Sequence, residues 1–173
     1  MKQKILFIII VCMCFIIGCN NSEKIKELEE YRLQIKVENQ NKEIVKRWLT
    51  KVNKDNYKTL LSELWSEDCM HYFNSDSNYL NFDQFLKLCE RLYTEMPVIE
   101  HKIYKLLADR NYVTAYFSAH VTHDVKSFGM LPTGEELNWK AMTLFELSNN
   151  KIVKRWEVTD LLGLYTQLGK EIK

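Results

Sequence analysis

The stretch Tyr112-Val-Thr-Ala-Tyr-Phe-Ser-Ala-His-Val-Thr-His123 alternates two side-chain sets, with Phe117, Ala119 and His123 on one face and Tyr116, Ser118 and His120 on the other. It is rich in β-branched and aromatic residues and contains no Gly or Pro, which is the signature of a long, half-buried strand. On either side, Asp109-Arg110-Asn111 and Ser148-Asn149-Asn150 read as turns, and the segments 98–107, 136–147 and 151–159 carry the same period of two. Before Pro97 the period lengthens. Asn41 stands as a cap for a helix with Ile44, Val45, Trp48, Leu49 and Val52 on one face. After Lys54-Asp55-Asn56 a second helix carries Tyr57, Leu60, Leu61, Leu64 and Trp65. A third begins at Asn81 or Asp83, carries Phe82, Phe85, Leu86, Leu88, Leu92 and Tyr93, and stops before Pro97. Helices first and a long meander afterwards predict an α+β domain: three N-terminal helices packed against a curved antiparallel sheet, with a central hydrophobic pocket in a cone-shaped interior.

The amino terminus obeys different rules. Met1-Lys-Gln-Lys precedes an unbroken apolar run from Ile5 to Ile17 that ends in Ile16-Ile17-Gly18-Cys19. A charged start followed by a short apolar run is the order of a secretory signal, and the run is short for a membrane span of roughly 17–25 residues. The ending resembles a lipobox, which implies lipidation of Cys19 and an extracytoplasmic protein anchored to a bacterial membrane, on the periplasmic side or at the cell surface. The expected organisation is a lipoprotein signal peptide over 1–18, a polar tether over 19–38 and one domain over 39–173. The tether is charge-dense with sparse apolar residues at Ile25, Leu28, Leu33 and Ile35, near helical spacing, and reads as a spacer.

Composition narrows the chemistry. With 24 basic and 23 acidic residues the formal charge is +1, and loss of Lys2 and Lys4 with the signal makes the remainder slightly acidic, which gives no electrostatic basis for nucleic-acid binding. Beyond the signal and Cys19 only Cys69 and Cys89 remain, so one bridge can form and none is required; two small buried hydrophobes is the favoured reading. No CxxC, His-x-x-x-His or acidic cluster has metal-ligand spacing, so neither metal nor cofactor is expected.

Several motifs in the carboxyl half carry a family resemblance: Val121-Thr122-His123, the loop Gly129-Met-Leu-Pro-Thr-Gly134, the strand Lys151-Ile-Val-Lys-Arg-Trp156, and Asp160-Leu-Leu-Gly-Leu-Tyr-Thr-Gln-Leu-Gly169. From Asn41 to Gly169 the chain resembles the SnoaL-like ester and polyketide cyclases of the NTF2-like superfamily. The resemblance implies a cone-shaped domain and cofactor-free acid/base chemistry, of cyclase, hydrolase or isomerase type. It also implies that Asp160 occupies the position of the family's acid/base aspartate. Met70-His71-Tyr72 departs from the family pattern, with Tyr72 where a histidine usually falls and His71 one residue earlier.

Strand alternation extended along 151–159 places Trp156, Val158 and Asp160 on one face, so that the Asp160 carboxylate ends an apolar row, where desolvation would raise its pKa. His123 could hydrogen-bond a developing enolate oxygen or hold the Asp160 carboxylate. Trp139, Thr143, Phe145 and Phe117, with His71 and Tyr72, would line the pocket. Two plainer readings stand beside these: Asp160 as the cap of a terminal helical turn, and His123 as a hairpin residue. His101 reads as a satisfied core histidine, and His120 as a surface or interface residue. The leading expectation is a membrane-tethered domain, anchored through Cys19, that binds a small hydrophobic or amphipathic molecule in its pocket; the alternatives are an acid/base enzyme using Asp160 and a non-catalytic module that dimerises or docks a partner through the sheet face.

Overall fold

The computed structural model describes residues 22–74, 77–127 and 129–169, together with the helical backbone of residues 2–21. The chain divides into two units, Met1–Val37 and Glu38–Lys173. The first is helical throughout its described length, and the apolar side chains Ile25, Leu28 and Leu33 on it are exposed. The Cys19 side chain, the expected site of lipidation, lies outside the described residues. Among the described residues no helix is long and apolar enough to cross a membrane.

Helix α1 (Lys2–Lys51) runs without a break through the position where a cap was expected at Asn41. Residues 22–40 contain neither Gly nor Pro and are dominated by Glu, Lys, Leu and Gln, so nothing in them stops helix propagation. Asn41 instead turns inward, and its Nδ2 donates to the Arg110 carbonyl at 3.0 Å. The spacer expected over 19–38 is therefore helical too.

After α1 come α2 (Tyr57–Leu64), β1 (Trp65–Phe73), α3 (Phe82–Glu95), β2 (Glu100–Asp109), β3 (Tyr112–Thr122), β4 (Glu136–Ser148), β5 (Lys151–Thr159) and α4 (Leu161–Gln167). Asn81 and Gln84 close a reciprocal capping box at the start of α3, with Gln84 N donating to Asn81 Oδ1 and Asn81 N to Gln84 Oε1, each at 3.0 Å. The five strands form one curved sheet in the order β1-β5-β4-β3-β2. Four are antiparallel neighbours as expected, but β1 was not foreseen, and it pairs parallel to β5, so the sheet is mixed. Trp65, assigned by its period to the second helix, is the first residue of that strand. A shift in the pairing between Trp65 and Met70 breaks the alternation that would have revealed it. The fourth helix, α4, is likewise additional to the three expected.

The inner sheet face carries Val113, Ala115 and Phe117 from β3 and Leu137, Trp139, Ala141, Phe145 and Leu147 from β4, all buried. Against it pack the apolar stripes of the helices, with Trp48, Trp65 and Phe85 in mutual ring contact, the Trp65 and Phe85 centroids 4.6 Å apart. Burying aromatics of this size is the largest single source of stabilisation open to a core of this kind. Cys69 and Cys89 are free thiols, both buried in this core.

Candidate functional site

Between the inner sheet face and the helices lies a cavity of about 400 Å³, within the usual size range of small-molecule sites. Its walls are mainly apolar, with Trp48, Phe85, Phe117, Trp139 and Leu164 among them; polar groups reach it from three strands, His71 of β1, His101 of β2, and Arg155, Glu157 and Thr159 of β5, and from outside the sheet, with Asn78 before α3, Arg91 and Tyr93 of α3 and Tyr165 of α4.

The β5 triplet sets the character of the site. Arg155 and Glu157 form an ion pair whose side chains are 9% and 14% exposed. Thr159 donates from Oγ1 to Glu157 Oε1 at 3.0 Å. The Arg155 guanidinium sits 5.5 Å from the ring centroid of Phe145 and 5.9 Å from that of Phe85, so aromatic faces flank the cation. Its Nε is buried with no described partner, as are His71 Nδ1 and Thr143 Oγ1. Pairing across the strands puts His71 beside Arg155, and both Phe73 and Thr143 beside Glu157.

The two cavity histidines are neutral. Burial, reinforced by the neighbouring Arg155 charge, drives the pKa of His71 down to about 2, and its ring stacks on Phe85 with centroids 4.6 Å apart. Burial also lowers His101, to about 4, partly opposed by its hydrogen bond to the Leu49 carbonyl. The Cys89 thiol, also on the cavity wall, is pushed up to about 12 by burial and is inert as a nucleophile.

Several expected residues lie elsewhere, and one irregularity explains most of them. Ile152 and Arg155 both point inward although they are three residues apart: Leu147 pairs with Ile152 but Glu146 pairs with Lys154, which leaves Val153 as an extra residue. An extra residue in a strand reverses the facing of everything beyond it. Alternation counted from Ile152 puts Trp156, Val158 and Asp160 inside, whereas the bulge turns Arg155, Glu157 and Thr159 inward instead. Val158 is consequently 63% exposed. Trp156 lies on the outer face, stacked on Tyr72 with centroids 5.7 Å apart and planes 7° apart, which removes both rings from the pocket.

Asp160 is exposed and caps α4, its Oδ1 accepting from Gly163 N at 2.8 Å. The carboxylate folds so closely over Gly163 that a Cβ there would meet Asp160 Oδ2 at 2.3 Å. Asp160-x-x-Gly163 is therefore a capping unit. Gln167 finishes the helix by gripping β4, accepting from Asn138 N at 2.9 Å and donating to Asn138 O at 2.8 Å.

His123 is 2% exposed and does not line the cavity. Its Nδ1 lies 3.1 Å from Thr133 Oγ1, and its carbonyl accepts from the backbone N–H groups of Thr133 and Gly134, so it anchors the loop that returns to β4. Thr143 and Phe145 are fully buried beneath the cavity floor and do not reach its surface. Of the residues expected around the pocket, His71, Phe117 and Trp139 line it. Glu157 and Arg155 were missed, and the signal available for them was an acid and a base two residues apart, hence on one face of the same strand. Among the described residues no three His, Cys, Asp or Glu side chains gather closely enough to hold a metal ion.

No curated protein matches the chain in sequence. Among solved structures it is similar to AclR, a proposed hydroxylase from Streptomyces galilaeus, with 21% identity over 79% of this chain and 89% of that one and a TM-score of 0.71. A proposed SnoaL-like polyketide cyclase from Jannaschia sp. gives 20% identity over 79% and 96% of the two chains, with a TM-score of 0.71. An LEH-like epoxide hydrolase from M. tuberculosis gives 14% identity over 75% and 90%, with a TM-score of 0.58. At these identities the likeness speaks for the fold. The family model of the SnoaL-like polyketide cyclases matches residues 42–168, the helices and sheet that enclose the cavity, and the chain belongs to that family.

Proposed function

We propose that the domain takes a small, mainly apolar carbonyl compound into the cavity and performs cofactor-free acid/base chemistry on it, with Glu157 as the base. The observation that carries this reading is a carboxylate held by Arg155 and Thr159 on the wall of an apolar, about 400 Å³ cavity. A positioned carboxylate can remove a proton made acidic by a neighbouring carbonyl, and a fixed guanidinium beside it favours the negative charge that develops on oxygen. The neutral His71 and the aromatic walls keep the surroundings poorly solvated, which strengthens both effects. Fold alone does not select among cyclisation, hydrolysis and isomerisation, since one fold hosts many reactions. The test is to identify by mass spectrometry any small molecule that co-purifies with the full chain, then to follow its conversion by wild type and by Glu157→Gln. A ligand altered by wild type and held unaltered by the variant supports the reading. A ligand that both proteins hold and neither changes would make this a binding protein.

We also propose that the chain is exported and anchored by a lipid on Cys19, on the strength of the charged start, the apolar run and Ile16-Ile17-Gly18-Cys19. Cys19→Ser should then abolish metabolic labelling by a fatty-acid analogue and leave the protein unprocessed; unchanged labelling would refute the anchor.

A further inference from the structure

His101 does more than fill the core. It stands on β2, at the opposite edge of the sheet from β1 and β5, and lines the cavity from that side. Its Nδ1 is 3.0 Å from the Leu49 carbonyl, which can only accept, so Nδ1 carries the proton. Leu49 lies in the last turn of α1, where carbonyls lack partners within the helix, and the ring therefore satisfies a group that would otherwise be orphaned. The edge of the ring packs against Phe117, with centroids 5.3 Å apart and planes at 79°, which fixes its orientation. A neutral imidazole with its proton on Nδ1 presents a bare lone pair on Nε2. No partner for this Nε2 is described, and it is not among the sealed, unpartnered nitrogens that include His71 Nδ1 and His123 Nε2.

We propose that His101 Nε2 is a fixed hydrogen-bond acceptor on the cavity wall, selecting ligands that carry a hydroxyl donor at the end opposite Arg155 and Glu157. This inference rests on the cavity being the ligand site, as proposed above, and adds the class of ligand. Strands β5 and β2 are separated by β4 and β3, hence by three inter-strand spacings, about 14 Å between strand axes. Side chains leaning inward from a curved sheet bring the two polar ends closer together. The fitting ligand is flat or elongated, apolar in its middle, with a carbonyl at one end for the Glu157 side and a hydroxyl at the other for His101.

A matched pair of probes tests this: 6-hydroxy-2-tetralone, whose hydroxyl and carbonyl lie at opposite ends of two fused rings, and its 6-methoxy counterpart, which keeps the shape and loses the donor. Binding to the full chain is read by calorimetry, and loss of the acidic C1 protons in D₂O by NMR. Wild type should favour the hydroxy compound by about 5- to 10-fold in Kd, the worth of one good hydrogen bond. His101→Asn keeps an amide N–H within reach of the Leu49 carbonyl but withdraws the acceptor from the wall, so it should fold and bind both compounds alike. His101→Gln returns an amide oxygen near the Nε2 position and should recover part of the preference. A wild type indifferent to the hydroxyl, or an Asn variant that keeps the full preference, would overturn the role of His101. If C1 exchange in that case still depends on Glu157, the proposed function survives without it. A hydroxyl preference abolished by His101→Asn with no catalysed exchange would leave the acceptor standing and remove the enzyme reading. Failure of wild type to bind either compound would overturn both.

Discussion

Glu157 and Asp160 are two acids three residues apart, and the chain puts them to opposite uses. Glu157 is sequestered on a cavity wall, paired with Arg155 and bonded by Thr159. Asp160 faces water and spends its carboxylate on the backbone N–H of Gly163. The difference is made by backbone geometry, since a single extra residue at Val153 decides which parity of β5 faces inward. The motif that opens with Asp160 thus marks the end of the sheet and the start of α4, while the acid on the cavity wall lies three residues earlier.

Disturbing the Arg155–Glu157 pair should separate the two acids most strongly. Arg155→Met removes the cation at similar volume and leaves Glu157 buried without its partner, which should cost about 3–5 kcal/mol of stability in denaturant unfolding. The double variant Arg155→Met with Glu157→Gln should recover much of that loss, because no uncompensated charge remains. If the single and double variants were equally unstable, the cost would belong to packing and the pair would not be the feature that distinguishes this wall.

A smaller effect belongs to each buried histidine taken singly. His71 and His101 ionise less readily in the folded chain, at about 2 and about 4, than the ordinary 6.5 they regain on unfolding. The unfolded chain therefore binds more protons below pH 6.5, and stability falls as the pH drops through that value, by up to about 1.4 kcal/mol per pH unit for each histidine. The fall for His101 flattens near pH 4, while that for His71 continues. Urea midpoints between pH 7.5 and 4.5 should show the slope, and His71→Leu should reduce it; an unchanged slope would mean that His71 is not held neutral by the core.

The smallest effect belongs to Asp160. Removing its cap with Asp160→Ala should cost about 1 kcal/mol in thermal unfolding without altering ligand affinity. Gly163→Ala should destabilise comparably, since the new methyl must displace the Asp160 carboxylate. A change in affinity with either variant would place α4's cap in the site after all.

Long regular elements were legible in the sequence because their period persists: β3, β4 and the stripes of α2 and α3 follow directly from side-chain spacing. The motifs around Gly129, Gly134 and Asp160-Leu-Leu-Gly163 carried the family, while three residues of the cavity wall came from elsewhere: Phe117 and Trp139 from their places on the strands, and His71 from the Met70-His71-Tyr72 stretch. What escaped were the places where the period breaks. The shift between Trp65 and Met70 hid β1, and the bulge at Val153 inverted the reading of β5, turning an apolar outer row into an expected inner one. The tertiary ion pair made the error easy, because Arg155 and Glu157 look like solvent-facing residues until each is seen to neutralise the other. His101 was read as a core residue from its type and position, and only its bond to Leu49 reveals which nitrogen is left for a ligand.

Isosteric variants decide whether Glu157 or Asp160 is the acid of the site. With 6-hydroxy-2-tetralone in D₂O, C1-proton exchange catalysed by the full chain is measured for wild type, Glu157→Gln and Asp160→Asn. A fall of roughly 10²–10⁴ in the catalysed rate is expected for Glu157→Gln, and a rate within about two-fold of wild type for Asp160→Asn. A large loss with Asp160→Asn, and little or none with Glu157→Gln, would contradict the assignment of Glu157.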